Sequence, residues 1–355
     1  MKVKGLFKKI LLRVVVFGVV IAIPFGAGWA KDPAKTEVLN WRMTTFQSAG
    51  SGLESVDYFA KMVKEGTNGR VNIKVYPAGT LFPTPQAWDA CKMGTVEVIH
   101  DTAGMRVGNL GPMAYLIHGL PGAWRSYWEN RYFYYNYGFI NVVRELFEKK
   151  EPKLYFLGPD TSPPWDLMTK VPITKVSDYK GLKLRTIGFE SKIYEKFGAK
   201  TITVGVEEIY TSLVTGIIDG TRWGSPSLNV ANGFHEVCKY YIGPTLQVAP
   251  MNYYAINKKS MAKLTDGEIK VIEMAVQMGS DYYMRATAAM DIGAWQKMQK
   301  AGVKYSVLEP GEEAKMMKIV MDGWDELIVK ADPVWGARGI QMVKDCLKKI
   351  GRPIE

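Results

Sequence analysis

Only three cysteines and three histidines occur in 355 residues, and both shortages narrow the chemistry available to the chain. Cys91, Cys238 and Cys346 are far apart, with no CxxC pair and no zinc-ligand spacing, so neither a disulfide framework nor a metal finger is built on them. Cys91 and Cys238 fall in ordinary element patterns and read as buried packing residues, while a single disulfide stays open for an oxidising compartment. His118 and His235 are isolated in the sequence and read as structural. There is no nucleophile elbow, paired-carboxylate motif or HExxH helix, so an exported hydrolase would have to assemble its groups from distant positions. Beyond residue 30 there is no linker, no low-complexity segment and no basic tract interleaved with aromatics, and nucleic acid is not expected as a partner.

What is present begins with Lys2, Lys4, Lys8, Lys9 and Arg13 ahead of an apolar run from Val14 to Phe25, followed by small residues at Gly28 and Ala30. That order is a secretory signal cleaved near Ala30, and it predicts a periplasmic protein. The run is short of the ~20 apolar residues a membrane span needs, and no cysteine follows it to carry a lipid. Five of the net +11 charges lie in this segment, leaving +6 on the remainder, a modest balance that suits an exported protein attracting anions. The remaining length exceeds a usual single domain and predicts two lobes. The 47% hydrophobic and 12% aromatic content of the full chain argue against disorder.

The stretch from Gly181 to Pro226 alternates strand, helix, strand, helix, strand. Leu182 and Leu184 alternate with Lys183 and Arg185, a helix is predicted from Glu190 to Phe197, and β-branched residues follow from Thr201 to Val204. A second helix is predicted from Val206 to Thr215, stopping at Gly216, and a last strand from Ile217 to Trp223. In open α/β sheets such strand ends face the ligand crevice, which makes Arg185, Arg222 and Trp223 candidates for one site. A guanidinium matches a carboxylate with a planar fork of donors, so the first inference is an anion-binding cleft. The alternative from composition is a pair of solvated strand-end charges.

GLKLR, a following Gly-Ala pair and EEIYTSLVTGIIDGTRW resemble the solute-binding subunits of TRAP transporters, the DctP-type family, nearest to its 2-oxo acid and monocarboxylate branch. LNWRMTTFQSAGSGLE, GRVNIKVYPAGTL, QAWDACKMGTVEVIHDT and LTDGEIKVIEMA extend the resemblance over nearly the whole chain after the signal. It implies a two-lobed α/β fold with the ligand cleft between the lobes, a long C-terminal helix bridging them, and no enzymatic activity. It implies as partners a small organic acid and the transporter's membrane subunits, with a homodimer through the long helix in some relatives. Arg185 falls where the family clamps the substrate carboxylate. Phe46 and Gln47 lie in the first strand-to-helix loop, which borders the ligand in the family, and Asn252 lies where family members contact substrate. A periplasmic sensor of the same fold would read identically.

Two positions depart from the 2-oxo acid branch. That branch has a glutamine in the segment here occupied by Ser162 to Trp165, and a glutamate where this chain has Arg222; both help to hold a cation over the substrate. A guanidinium cannot ligate a metal, so the expectation is that no cation or other cofactor binds and that Arg222 supplies the positive charge itself. Its alternative is to turn away and pair with Asp160 or Asp166. GTVEVIHD from Gly94 echoes GIIDGTRW from Gly216 at an offset of 122, which places His100, Asp101 and Thr102 at the same cleft as Trp223.

The predicted division is a signal at 1–30, a first lobe at 31–157, a second at 158–250 with the hinge near Gly158, a return strand at 251–263, and the long helix with terminal helices at 264–355. The rings from Trp124 to Tyr137 read as first-lobe packing. Thr265 and Glu268 read as the cap of the long helix, whose apolar face is predicted at Ile269, Ile272, Ala275, Val276 and Met278 to Tyr282.

Overall fold

A computed structural model describes residues 37–353. The signal segment and its cleavage at Ala30 lie outside the described residues. Among the described residues eleven strands, numbered in chain order, form two sheets. Sheet 1 runs β2 (Val71–Tyr76), β1 (Leu39–Thr45), β3 (Val98–Thr102), β10 (Met251–Asn257), β4 (Leu154–Thr161). Sheet 2 runs β11 (Lys304–Val307), β9 (Tyr240–Gly243), β5 (Leu167–Thr169), β8 (Gly220–Arg222), β6 (Lys183–Arg185), β7 (Lys200–Ile202).

Sheet 1 grows from βαβ units. β1 pairs in parallel with β2 and β3, and the helix Gly50–Gly66 crosses between β1 and β2. Val56, Phe59, Ala60 and Val63, at the spacing of one helical face, are all buried. The helix Ala87–Met93 leads to β3 and stops at Gly94, whose φ of 83° is the left-handed conformation that glycine adopts without strain. β10 then returns antiparallel between β3 and β4. In sheet 2, β6 pairs in parallel with β7 and β8, so Arg185 and Arg222 both stand at carboxyl ends of neighbouring strands. The final strand predicted from Ile217 shortens to Gly220–Arg222.

The long helix spans Asp266–Lys300, and its Thr265–Glu268 capping box forms as the sequence predicts. Its early turns put Ile272, Ala275 and Val276 into the core around Leu39 and Phe59, and its later turns put Tyr283 and Met298 into the core around Trp165 and Trp223. One element thus contributes to the packing of both sheets. Asp291, farther along it, accepts Ser225 Oγ, Ser227 N and Ser227 Oγ at 2.9, 2.9 and 2.6 Å and so anchors the start of the helix Pro226–Ala231. The inward face differs in part from the predicted one: within Met278 to Tyr282 only Gly279 and Ser280 are buried, Met278 is exposed, and Tyr283, just beyond, is buried. The cause is polar, since Ser280 Oγ accepts the Thr161 amide at 2.8 Å and seats the helix on the end of β4.

Trp124, Phe133 and Tyr134 pack in the core as predicted from the ring-rich stretch, but Trp128 is exposed. All three cysteines are buried and unpaired, which closes the option of a disulfide. Among the described residues no helix is long and apolar enough to cross a membrane.

Candidate ligand site

On sheet 1 the strand register sets three polar side chains in a row. Asn252 of β10 pairs with Thr102 of β3 on one side and Asp160 of β4 on the other, and directly paired residues share a sheet face. All three are buried. His100, two residues before Thr102, takes the same face, with Nε2 at 2.8 Å from Asp160 Oδ2 and Nδ1 at 2.8 Å from Thr45 Oγ1. The Thr45 oxygen also accepts the Gln47 amide at 3.0 Å. At the other end of the row, Thr102 Oγ1 lies 2.9 Å from His118 Nδ1, which also faces the Met251 carbonyl at 3.2 Å. A ring nitrogen against a carbonyl must donate, which assigns the proton to Nδ1 and leaves Nε2 a bare acceptor with no partner. Burial and then the charge of Arg222 hold the His118 pKa down at about 3, so the ring is neutral.

Asp101 does not join this row. It sits between His100 and Thr102 on β3 and so points to the opposite face, where its carboxylate accepts Arg106 Nε at 2.7 Å and Tyr253 OH at 3.1 Å. The echo between the two halves therefore misplaces Asp101, while His100 and Thr102 share the other face of sheet 1.

On sheet 2 the two arginines part company. Arg185 pairs with Thr221 and shares its face, whereas Arg222, the next residue of β8, points the other way. The Arg185 guanidinium donates to Val204 O from Nε and Nη2 at 3.3 and 3.1 Å and to Arg222 O from Nη1 at 3.2 Å, and its Cζ lies 5.5 Å from the Trp223 ring centroid. It is only 2% exposed, and no carboxylate among the described residues pairs with it. Burial, reinforced by the charge of Arg222, holds its pKa down to about 9.

Arg222 is neutralised from within. Its Nη2 lies 2.9 Å from Glu190 Oε1, and it donates to Gln247 Oε1. Neither Glu190 oxygen has a hydrogen bond of good geometry, so the Glu190 contact is a charge pairing without an aligned N–H. Burial pushes the Glu190 pKa up and the charge of Arg222 opposes it. The internal partner expected from sequence was Asp160 or Asp166; the fold supplies Glu190 because the first turn of the helix Gly188–Lys196 follows directly on β6.

Aromatic rings close the space between the sheets. Phe46 lies 6.0 Å from Trp223, 6.3 Å from Trp165 and 5.0 Å from His100. Trp165 is 5.8 Å from Trp223 and 4.8 Å from His118, and the Arg222 Cζ lies 5.4 Å from its ring centroid. Arg222 Nε and Nη1, Trp223 Nε1, Thr221 Oγ1, His118 Nε2, Asp160 Oδ1 and both polar atoms of Asn252 are buried without a hydrogen-bond partner. Such groups are rare in a folded protein, and a cluster of them marks a place built for a polar guest. A surface depression of about 540 Å3 bounded by Trp41, Asp57, Lys64 and Lys74 shares no residue with this cluster.

The structure thus brings Arg185, Trp223, Phe46, Thr102, Asp160 and Asn252 together. Gln47 is drawn aside, its Nε2 donating to Tyr283 OH of the long helix at 3.2 Å. His118, Trp165, Glu190 and Gln247 were not singled out from sequence. An acid in a first helical turn is ordinary, and nothing near His118 in the chain marks it. A guanidinium, which cannot ligate a metal, stands at Arg222, and among the described residues no three His, Cys, Asp or Glu side chains gather to hold one.

Residues 47–331 match the DctP family, bacterial extracellular solute-binding protein family 7. The chain is 30% identical over 224 residues to a monocarboxylate 2-oxoacid-binding periplasmic protein of Nostoc, a match spanning 59% of each chain. It is 24% identical over 303 residues to the C4-dicarboxylate-binding periplasmic protein DctP of Rhodobacter capsulatus, covering 81% of this chain and 84% of that one. Among solved structures, a TRAP periplasmic solute-binding protein of Pseudoalteromonas atlantica with bound sodium and pyruvate superposes with a TM-score of 0.81 at 21% identity, covering 89% of this chain and 95% of the other. One from Chromohalobacter salexigens with bound D-glucuronate gives 0.74 at 22% identity, covering 87% and 99%. Two sheets facing each other across buried polar groups, a long helix shared by both, and a family match over most of the chain lead to one conclusion: the protein belongs to the extracytoplasmic solute-binding proteins of family 7, the DctP family.

Proposed function

We propose that the protein binds a small organic acid carrying one carboxylate, closes its lobes over it, and delivers it to the membrane subunits of a TRAP-type transporter. The observation that carries this reading is Arg185, a buried guanidinium at a strand end with no carboxylate partner of its own. A carboxylate against it restores the charge balance that burial removes. Because Glu190 already balances Arg222, one negative charge suffices, which favours a monocarboxylate over a dicarboxylate. The lobes of this proposal are residues 31–157 and 158–250, with a signal cleaved near Ala30 and the return to the first lobe at 251–263. Met274, Met278, Met290 and Ile292, exposed on the long helix, support self-association through that helix as part of the same proposal.

A thermal-shift screen of the exported protein against mono- and dicarboxylates, with and without chelator, tests it. Monocarboxylates at a thousand times their dissociation constant should stabilise by roughly 4 kcal/mol, and chelator should leave the shift unchanged. A shift that disappears with chelator, or that only dicarboxylates produce, contradicts the reading of Arg222.

Closure itself has a test away from the ligand. Glu207 of the helix Val206–Val214 accepts the Thr84 amide at 3.0 Å and the Thr84 hydroxyl at 2.9 Å, and Ser48 Oγ donates to Asn232 Oδ1 at 2.6 Å. These bonds join the two sheets' layers at the rim and stabilise only the closed form. Thr84→Val, which removes the hydroxyl bond and leaves the Glu207 charge that acts on Arg185 in place, should weaken ligand affinity by about tenfold, the effect of roughly 1.4 kcal/mol on a closing equilibrium. Calorimetric titration reads it, and unaltered affinity would mean that the rim contacts do not bias closure.

A further inference from the structure

We propose that the site selects carboxylates whose tail carries a hydroxyl group, read jointly by Asp160 and Asn252; this rests on the carboxylate-binding function proposed above. Both side chains are fully buried, and they are paired neighbours on β4 and β10 facing the same way. That face holds His100, which lies against Phe46 at 5.0 Å; Phe46 lies 6.0 Å from Trp223, and Arg185 covers Trp223 at 5.5 Å. The His100, Phe46 and Trp223 rings therefore form a continuous wall of contacts from the Asp160–Asn252 pair to the carboxylate clamp. A ligand held at one end by Arg185 presents its tail to the other.

The hydrogen-bonding capacity left at that end is specific. Asp160 Oδ2 is a carboxylate oxygen and can only accept, so His100 Nε2 carries hydrogen and donates to it, which leaves Nδ1 of the neutral ring to accept the Thr45 hydroxyl while that oxygen accepts the Gln47 amide. Asp160 Oδ1 then remains an acceptor without a donor, and Asn252 offers a free Nδ2 donor and a free Oδ1 acceptor. A hydroxyl gives its proton to Asp160 Oδ1 and accepts from Asn252 Nδ2 at once. An oxo group can only accept and leaves Asp160 Oδ1 facing lone pairs. A methylene leaves both side chains bare. An ammonium can donate to Asp160 Oδ1 and Asn252 Oδ1 but has no lone pair for Asn252 Nδ2, which it leaves unpaired. Sites built to bond a substrate hydroxyl discriminate strongly against analogues that lack it, because the protein's own buried groups are then left unpaired.

The test is calorimetric titration of the exported protein with four- to six-carbon monocarboxylates, each skeleton in deoxy, hydroxy, oxo and amino form. A hydroxy acid should bind about ten- to a hundredfold more tightly than its deoxy, oxo and amino counterparts. Asp160→Asn keeps the shape and still accepts His100 Nε2–H through its oxygen while presenting an amide donor to the ligand, so it should reverse the ranking in favour of the oxo acid. Equal binding of the hydroxy and oxo forms, preference for the amino form, or a hydroxyl preference that survives in Asp160→Asn overturns the inference. Binding that Arg185→Ala removes but that ignores the tail overturns this inference alone. Absence of binding by every carboxylate overturns it together with the function it rests on.

Discussion

Arg185→Ala should remove carboxylate binding while leaving the fold at least as stable as before. Truncating one partner of a buried, hydrogen-bonded charge pair costs about 2–5 kcal/mol, which is roughly thirtyfold to several-thousandfold in affinity. The direction of the stability change follows from the free protein. There Arg185 has no carboxylate in a salt bridge with it, and burial and then Arg222 hold its pKa down to about 9 against the opposing charge of Glu207. Depression of a basic group's pKa means that the folded state disfavours the charge, so the guanidinium opposes folding at neutral pH. Its three bonds to Val204 O and Arg222 O return about 1 kcal/mol each. Removing both terms should leave the melting temperature of the ligand-free variant equal to or above that of the wild type. A variant that binds normally contradicts the clamp, and one that unfolds identifies Arg185 as a structural residue instead.

The second large effect is a pH dependence centred on Asp166. This carboxyl is buried in the segment that connects β4 to β5, and its Oδ2 accepts the Tyr241 hydroxyl. Burial raises its pKa from 3.8 to about 6 against the opposing pull of Tyr241, Thr245 and Arg222. A raised carboxyl pKa means that the folded state holds the proton more tightly than the unfolded one. The associated stability is fully present below the unfolded value of 3.8 and is lost as pH rises through about 6. The loss is about 3 kcal/mol, two pKa units at 1.36 kcal/mol each. His118 acts in the opposite sense. Its pKa is lowered to about 3, so its contribution is present above 6.5 and is lost as pH falls below that value. The wild-type profile superposes the two, and a substitution is needed to separate them. Asp166→Asn, which keeps an acceptor for Tyr241, should gain stability relative to wild type by up to about 3 kcal/mol between pH 4 and pH 7.5. Urea unfolding at both pH values measures the difference, and a gap that stays constant with pH would show that Asp166 does not titrate in that range.

The sequence made the strand-end arginine legible because the alternation of Leu182 and Leu184 with Lys183 and Arg185 fixes a half-buried strand. Where a strand ends, its last polar residue meets the crevice. Thr102, Asp160 and Asn252 could each be placed near the cleft, but their assembly into one row depends on the register of β10 between β3 and β4, which no local pattern encodes. The error at Asp101 has the same origin, since a repeat in composition does not carry the two-residue period that decides which face a side chain takes. The neutralisation of Arg222 was illegible for a different reason. Several acids lay within plausible reach, and only the packing of the helix Gly188–Lys196 against β8 selects Glu190. His118 and Trp165 meet through tertiary packing alone.

The place of β10 also bears on how the chain acquires its structure. Sheet 1 is left at Thr161 and completed only when Met251–Asn257 arrives between β3 and β4, after all of sheet 2 except β11 has been passed along the chain. A nascent polypeptide that ends before β10 has the adjoining edges of β3 and β4 unpaired and cannot finish either layer's core. Contacts so distant in sequence carry a large loop-closure entropy and slow the search for the native arrangement. The emerging chain therefore cannot complete sheet 1 until residues 251–257 have been made.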